Sequence, residues 1–411
     1  MADRVVVTGR GLITPIGIGL KENLESLKAG RTGTVLIPYW KEINLDSQVA
    51  GKSNEDPECP MLNQKNKRFM SANSRMAVAA AYQAVLEAGY TPETLPGDRM
   101  AMINGCAGSS YIEVINNALS FLEVKRVRRC SPFAVPRLMP SSGVANISLI
   151  FGITGETYNI SSACTSSAHA IMAGGRLIAS GEYDIVMVGG SEEISWPQAL
   201  GFNSMRALSH SFNDEPEHAS RPFDKRRDGF VLGEGAGMMI LERESHALAR
   251  GAKPIAILGG FSANSNASDM VVPNSDSSAD LMLRAIRMAG LEPKDIDYVN
   301  THGTATPVGD PVEMEAIRKV FNSSRDVAVN STKSMTGHMI GAAGAVEAIF
   351  STLMMEHSFI CPTANLDDPG DEFLWADLVR ETREGVEVNH VLSNSFGFGG
   401  SNGCLVFSKW K

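Results

Sequence analysis

Short apolar runs, many of them closed by a glycine, recur along these 411 residues, with helical stretches between them. In the first half the runs are Val5–Gly9, Ala101–Gly105, Asp184–Gly190 and Met238–Leu241. In the second they are Ile255–Gly260, Ile296–Asn300, Val327–Asn330, Val391–Asn394 and Cys404–Phe407. Near-continuous apolar runs of this length suit strands buried on both faces. The stretches Ser74–Ala88, Thr165–Ala179, Asp280–Ala289, Pro311–Val320 and Ala342–Glu356 read as helices. Strands alternating with helices predict α/β layers.

The two series run in similar order. Each opens with a strand and a glycine turn, and each holds a strand that leads into a small-residue helix. These are Tyr158–Ser161 before Cys164, and Val329–Thr332 before His338. The pattern predicts an internal duplication with a period of roughly 200 residues. The join falls near Arg250–Pro254, giving halves 1–252 and 253–411. The first half carries the longer insertions, at 30–70, 105–150 and 195–230. Insertions on a rigid scaffold are where pockets and partner contacts form.

A hydrophobic content of 43% and a charged content of 20% describe a soluble globular chain rather than a disordered or fibrous one. The net charge of −9 argues against a general nucleic-acid binder. Six cysteines (Cys59, Cys106, Cys130, Cys164, Cys361 and Cys404) show no CxxC pairing. Neither a disulfide frame nor a zinc ribbon follows, and reduced thiols in the cytoplasm are the expectation. The first residues run into a strand without a signal-peptide or presequence pattern, and no apolar run is long enough to span a membrane.

Cys164 lies where the strand at 158–161 turns into the helix at 165–179. If that helix begins at about Cys164, the thiol sits over unpaired N–H groups and the positive end of the helix dipole, which favours thiolate. An inert buried thiol is the alternative. Ala168, Ile171, Met172 and Ile178 give the helix an apolar side, and Gly174 and Gly175 permit close packing. His302, in Asn300–Asp310, and His338, in Thr332–Glu347, each sit at a glycine-rich strand end. One histidine alone is usually structural; two in such settings are less easily dismissed. A Cys/His/His zinc site lacks the compact spacing of structural zinc, so no metal is expected. In Asn394–Asn402 the alternating glycines let backbone N–H groups approach a ligand and hold an oxyanion. That stretch lacks the lysine of a phosphate loop, and Val5–Gly11 followed by Thr14 is an imperfect dinucleotide fingerprint.

Taken together, the stretches around Cys164, His302, Lys333–His338 and Asn394–Gly400 resemble the β-ketoacyl-acyl-carrier-protein synthases, the elongating condensing enzymes. The resemblance covers essentially the whole chain. It implies the thiolase fold, two similar halves in five αβαβα layers, and a homodimer. It implies that Cys164 carries the acyl chain as a thioester, with the N–H groups of Cys164 and Phe398 as oxyanion hole. His302 and His338 would donate to the malonyl thioester carbonyl. Lys333 and Glu347 match the supporting pair near the second histidine, and Asp310 an acid near the first. Thr304 and Thr306 match residues that bind the pantetheine arm, Phe396 lies in the glycine loop, and Gly108 stands where the family shapes its acyl pocket. The Cys164 surroundings and Gly108 lean toward the type I branch. No resident cofactor is implied, since substrates arrive on the phosphopantetheine of acyl carrier protein.

Two basic clusters stand out in the acidic whole: Lys65, Lys67 and Arg68, and Lys125, Arg126, Arg128 and Arg129. Charge runs are usually solvated faces, but both lie in first-half insertions, where the family holds its acidic carrier protein. Three other readings stay open. They are a ketosynthase of polyketide or aryl-polyene assembly, a silent partner of the chain-length-factor type, and a nucleotide-dependent regulator resting on the weak glycine motifs.

Overall fold

Eleven strands of one large sheet carry the chain's layers, and their order repeats. The computed structural model describes residues 3–321 and 327–411. The strands are β1 (Val5–Thr14), β2 (Met100–Gly105), β3 (Thr157–Ile160), β4 (Ile185–Glu192), β5 (Gly235–Arg243), β6 (Ala256–Ser265), β7 (Tyr298–Asn300), β8 (Ala328–Asn330), β9 (Asp377–Leu378), β10 (His390–Gly397) and β11 (Ser401–Lys409). Across the sheet they run β9-β8-β7-β10-β11-β6-β1-β5-β4-β2-β3. The first five strands in chain order are β1 to β5, and from one edge inward they read third, second, fourth, fifth, first. The strands β6, β7, β8, β10 and β11 give the same order from the other side, with β9 added at the edge. The two sets meet where β1 and β6 pair antiparallel, Val6 opposite Ile257 and Val7 opposite Ala256.

The helices that matter here are α1 (Ala72–Glu87), α2 (Tyr111–Val124), α3 (Ser142–Phe151), α4 (Ser166–Ala179), α5 (Ser275–Met288), α6 (Gly309–Phe321) and α7 (Ala343–His357). Helices α4 and α7 form the middle layer. Ala168, Ile171 and Met172 of α4 share one buried cluster with Val346, Ile349 and Phe350 of α7. Outside the first sheet, α1 and α3 pack Met76, Ala77, Ala80 and Ile147 against Met102 and Ile240. Outside the second, α5 and α6 pack Leu281, Ile286 and Ile317 against Val299, Leu392 and Val406. These are the five layers αβαβα of a thiolase-like fold, as the resemblance implies.

Helix α4 is buried because its small residues let the sheets close on it. A Cβ at Gly174 would stand 2.3 Å from Val188 Cγ1, and one at Gly175 3.0 Å from Leu258 Cδ2. One boundary differs from the sequence reading: the helix near Cys164 begins at Ser166 rather than at the thiol. The stretch 242–250 is divided between strand and helix. Glu242 stays on the sheet because its buried carboxylate accepts from Thr8 at 2.6 Å and from Arg250 Nε at 2.9 Å.

Part of the insertion at 30–70 forms a small sheet, in which Thr34–Leu36 pairs with Val49–Gly51 and that strand with Leu232–Gly233. It abuts the turn that carries His338: a Cβ at Gly51 would lie 2.0 Å from the Thr336 carbonyl oxygen. Among the described residues no helix is long and apolar enough to cross a membrane.

The packing of α4 yields a stability test. Gly174→Val should cost about 1–3 kcal/mol as an overpacked core, read as a lower thermal midpoint. Gly201→Ala, where a Cβ meets nothing within 4 Å, should leave the midpoint unchanged or raised.

Candidate active site

The repeated strand order brings every motif to one place, the carboxyl ends of the parallel strands, where open α/β sheets bind ligands. Cys164 follows β3, the third strand of its half, and His338 follows β8, the third strand of the other. His302 follows β7, and the loop of Phe396 and Phe398 closes the hairpin from β10 to β11.

Cys164 Sγ and one ring nitrogen from each of His302 and His338 lie within 4.8 Å of one another. The two imidazoles stand edge to face, centroids 5.1 Å apart at 88°. Phe230 and Phe396 flank them, at 5.6 Å from His338 and 5.9 Å from His302. The three groups open on a cavity of about 330 Å³, which Thr304, Thr306, Phe396, Phe398 and Ile340 also line. Arg206, at the C-terminal end of an insertion helix, also lines it and was missed in the sequence. Gly108 is not in that lining: it is packed between Tyr111 and Glu192, and a Cβ there would meet them at 3.0 and 3.2 Å.

Backbone clamps hold both histidines. His338 donates its N–H to the Val231 carbonyl at 2.7 Å and accepts at its own carbonyl from Gly233 at 2.9 Å. Its ring nitrogens, on a side chain only 3% exposed, have no hydrogen-bond partner among the described residues. For His302 the clamp is a carboxylate: Glu313 on α6 accepts from the His302 N–H at 2.8 Å and the Gly303 N–H at 2.7 Å. Asn394 donates to the same group at 3.1 Å. Glu313 was missed in the sequence, although it stands one helical turn beyond Asp310, a spacing that puts both acids on one face. Asp310 does not hold His302. Its carboxylate accepts from the Phe223 N–H at 3.0 Å, and its backbone N–H donates to the Thr306 carbonyl at 3.4 Å, which braces the threonine loop. Thr304 and Thr306 hydroxyls lie 3.2 Å apart, and Thr306 accepts from the Gly309 N–H at 3.0 Å.

Lys333 and Glu347 are each 2% exposed and pair at 2.5 Å. Burial, with the Lys333 charge added, holds both imidazoles well below the ordinary histidine range. They therefore stay neutral as the pH falls through the usual histidine value, each with one N–H to donate. Burial pushes Glu313 up to about 7 and Asp310 up to about 6, against the amides they accept from.

The helix end does not make Cys164 a resting thiolate. The sulfur precedes the first helical residue by two positions, and burial pushes the thiol up to about 12. Lys333 and the Phe398 N–H pull the other way, and Glu192 adds to the rise. The Phe398 amide thus already bears on the sulfur, in a turn where Gly399 and Gly400 hold φ of 80° and 70°. In space the thiol and imidazoles are as compact as a metal site, contrary to their sequence spacing, but the Lys333 ammonium bears on all three and opposes a cation.

The basic clusters differ in availability. Lys65, Arg68, Lys125, Arg126, Arg128 and Arg129 are exposed, whereas Lys67 is half-buried and paired with Asp56 at 2.7 Å. Arg137 donates to the Arg68 carbonyl at 2.9 Å, and the Arg68 guanidinium lies 5.6 Å from the Phe133 ring centroid. The segments carrying the two clusters therefore touch.

With a thiol pushed above its ordinary value, alkylation of Cys164 by iodoacetamide should climb roughly tenfold per pH unit from about pH 7 to 9, since thiolate is the reacting form. A plateau below about pH 8 would show that the helix end, not burial, sets the thiol.

The Beta-ketoacyl synthase, N-terminal domain matches residues 2–247, and the Beta-ketoacyl synthase, C-terminal domain matches 255–367. Over 409 residues the chain is 40% identical to 3-oxoacyl-[acyl-carrier-protein] synthase 1 of Haemophilus influenzae, with 99% of each covered. It is 41% identical over 413 residues to 3-oxoacyl-[acyl-carrier-protein] synthase 2 of Vibrio harveyi, covering 99% of this chain and 98% of the other. A beta-ketoacyl synthase from Burkholderia phymatum superposes with a TM-score of 0.94 at 34% identity, both chains covered in full. Two matching domains and full-length relatives at this identity, on the same five layers, place the chain in the beta-ketoacyl synthase family.

Proposed function

We propose that this chain is a 3-oxoacyl-[acyl-carrier-protein] synthase that elongates fatty acyl chains by two carbons. The observation that carries the reading is the sulfur of Cys164 beside two neutral imidazoles at the end of a cavity. In the first step the Cys164 sulfur attacks the thioester of an acyl carrier protein. The carbon–sulfur bond to pantetheine breaks, and the Cys164 proton leaves with the pantetheine thiol. A thiol that is protonated at rest therefore needs no separate base overall.

In the second step malonyl thioester loses CO₂. The electron pair of the broken carbon–carbon bond moves to the thioester oxygen as an enolate. His302 and His338, each neutral, donate N–H to that oxygen, which bears more charge in the transition state than in the ground state. The enolate carbon then attacks the acyl-Cys164 carbonyl, whose oxyanion sits on the N–H groups of Cys164 and Phe398. Collapse releases the 3-oxoacyl product and the Cys164 thiolate, which regains a proton. Burial keeps the rings unprotonated, with Lys333, paired with Glu347, adding to it, and Thr304 and Thr306 line the path of the pantetheine arm. The halves 1–252 and 253–411 supply the sulfur and the imidazoles respectively.

Relatives named synthase 1 and synthase 2 are about equally similar, so the lean toward type I rests on the Cys164 surroundings and Gly108. A homodimer fits α2, which buries none of its residues and exposes Leu119 by 57% and Leu122 by 62%. It also fits β3, whose outer edge ends the sheet. A cytoplasmic location fits six unpaired cysteines. On this reading no resident cofactor is needed.

Treatment with acyl carrier protein bearing an acyl chain should add that acyl mass to the chain, and Cys164→Ser should abolish the adduct. A silent chain-length partner would show no adduct at all, while graded primers would separate fatty acid from polyketide or aryl-polyene assembly. Cys164→Ala should keep some malonyl decarboxylation. His338→Ala should still form the adduct yet lose about 10²–10³ in condensation rate, the scale of one oxyanion donor; a normal product yield refutes the donor role. Reversing Lys125, Arg126, Arg128 and Arg129 to Glu should weaken turnover of carrier-bound substrate and its salt dependence while sparing small thioester mimics. Equal loss on both substrates would remove the patch from carrier binding.

A further inference from the structure

Glu192 takes no part in the steps above, yet its carboxylate joins the segment of the second imidazole to the loop after β2, to which the sulfur's segment is itself bonded. It ends β4 and is 2% exposed. Its Oε2 accepts from the Ala107 N–H at 3.0 Å and the Gly341 N–H at 3.1 Å, and its Oε1 from the Gly108 N–H at 3.3 Å. Backbone amides thus answer a buried charge, a costly arrangement that a neutral side chain would avoid.

What those amides belong to gives the carboxylate its meaning. The Ala107 carbonyl accepts the Ser161 hydroxyl at 3.0 Å, three residues before Cys164. Gly341 lies three residues after His338 and directly follows Ile340, a β-branched residue held at φ 42°. Ala163, directly before Cys164, is held at φ 50°. Such conformations persist only where the surroundings over-determine them. The approach is as close as it can be: a Cβ at Gly341 would stand 2.4 Å from the Ala107 nitrogen and 2.7 Å from Glu192 Oε2. Glu193 reinforces the same wall, accepting from the Asn73 N–H at 3.0 Å and from the Ser110 hydroxyl.

We infer that Glu192 is a positioning residue for condensation, fixing the His338 turn to the Cys164 loop and so setting the separation of imidazole and sulfur. The inference rests on the condensing reading and deepens it. Glu192→Gln keeps the shape and one acceptor oxygen, but turns an amide N–H₂ toward a backbone N–H that then has no acceptor.

The expected result is a folded chain whose Cys164 still takes an acyl group from carrier protein within about threefold of the wild-type rate. Its kcat for condensation should fall by about tenfold or more, with KM for malonyl carrier protein little changed, as displacement of a catalytic group predicts. Alkylation of Cys164 by iodoacetamide should also move to lower pH, because a negative charge that raises the thiol is gone. The other groups bearing on the sulfur, Lys333 and the Phe398 amide, are untouched, as are His302 and His338 beside it. So are those around Glu192 itself: Glu193, Cys106 and Tyr111. Gly341→Ala parts the same contact while leaving the charge, and should lose kcat without that shift.

Wild-type kcat in Glu192→Gln overturns the inference, and so does an equal loss of acylation and condensation together with a lower thermal midpoint. A wild-type chain that accepts no acyl group refutes the condensing reading instead, while the alkylation profile still reports on the Glu192–Cys164 coupling.

Discussion

Near-contact between the backbones of two buried helices sets the distance on which the rest of the site depends. Helices α4 and α7 meet through their smallest residues: a Cβ at Gly344 would stand 3.0 Å from the Ala168 nitrogen. The Ala345 N–H donates to the Ser167 hydroxyl at 2.9 Å, tying the first turns of both helices together. Each helix is preceded by one of the reacting groups, so this contact decides how far sulfur and imidazole can stand apart. Interiors packed at crystal density do not let such a contact drift.

Around that contact the site concentrates acids rather than bases. Glu192, Asp310, Glu313 and Glu347 are all fully or nearly fully buried, and Lys333 is the buried cation among them. Two of the four, Glu192 and Glu313, spend their oxygens mainly on backbone N–H groups of segments beside the reacting side chains, and Asp310 takes the Phe223 N–H. Their burial raises all four carboxyls, two of them to about 7. The loops are thus held by groups that reach across the fold, and the imidazoles are left free to face the cavity. Burial, with the single ammonium added, makes protonation of either ring unfavourable, which suits donors to an enolate better than bases.

Much of the site was legible because glycine marks the ends of strands. Cys164, His302, His338 and Phe398 each sit in a small-residue stretch that no ordinary helix or strand interior would carry. The α/β layering and its duplication followed from the alternation of runs, while the count of five layers came from the family resemblance. The acids that hold those stretches were harder to see. Glu192 reaches Ala107 and Gly341 at separations of 85 and 149 residues, and its partners are main-chain amides, which leave no trace in side-chain identity. Glu313 lay closer to view, one turn from an acid already singled out. The state of the thiol was misread for a related reason. A helix end is visible in a sequence, but the desolvation that outweighs it comes from residues brought in by the other half of the fold.

The common strand order has a chemical corollary. Cys164 and His338 stand at matching places in two copies of one template, after the third strand and before the helix of the middle layer. Two identical subunits related by a twofold axis would have to present the same group at both places, two sulfurs or two rings. Fusing the copies into a single polypeptide frees each place to change alone. A reaction that joins an electrophile to a nucleophile needs unlike neighbours, and the doubled chain is what permits them.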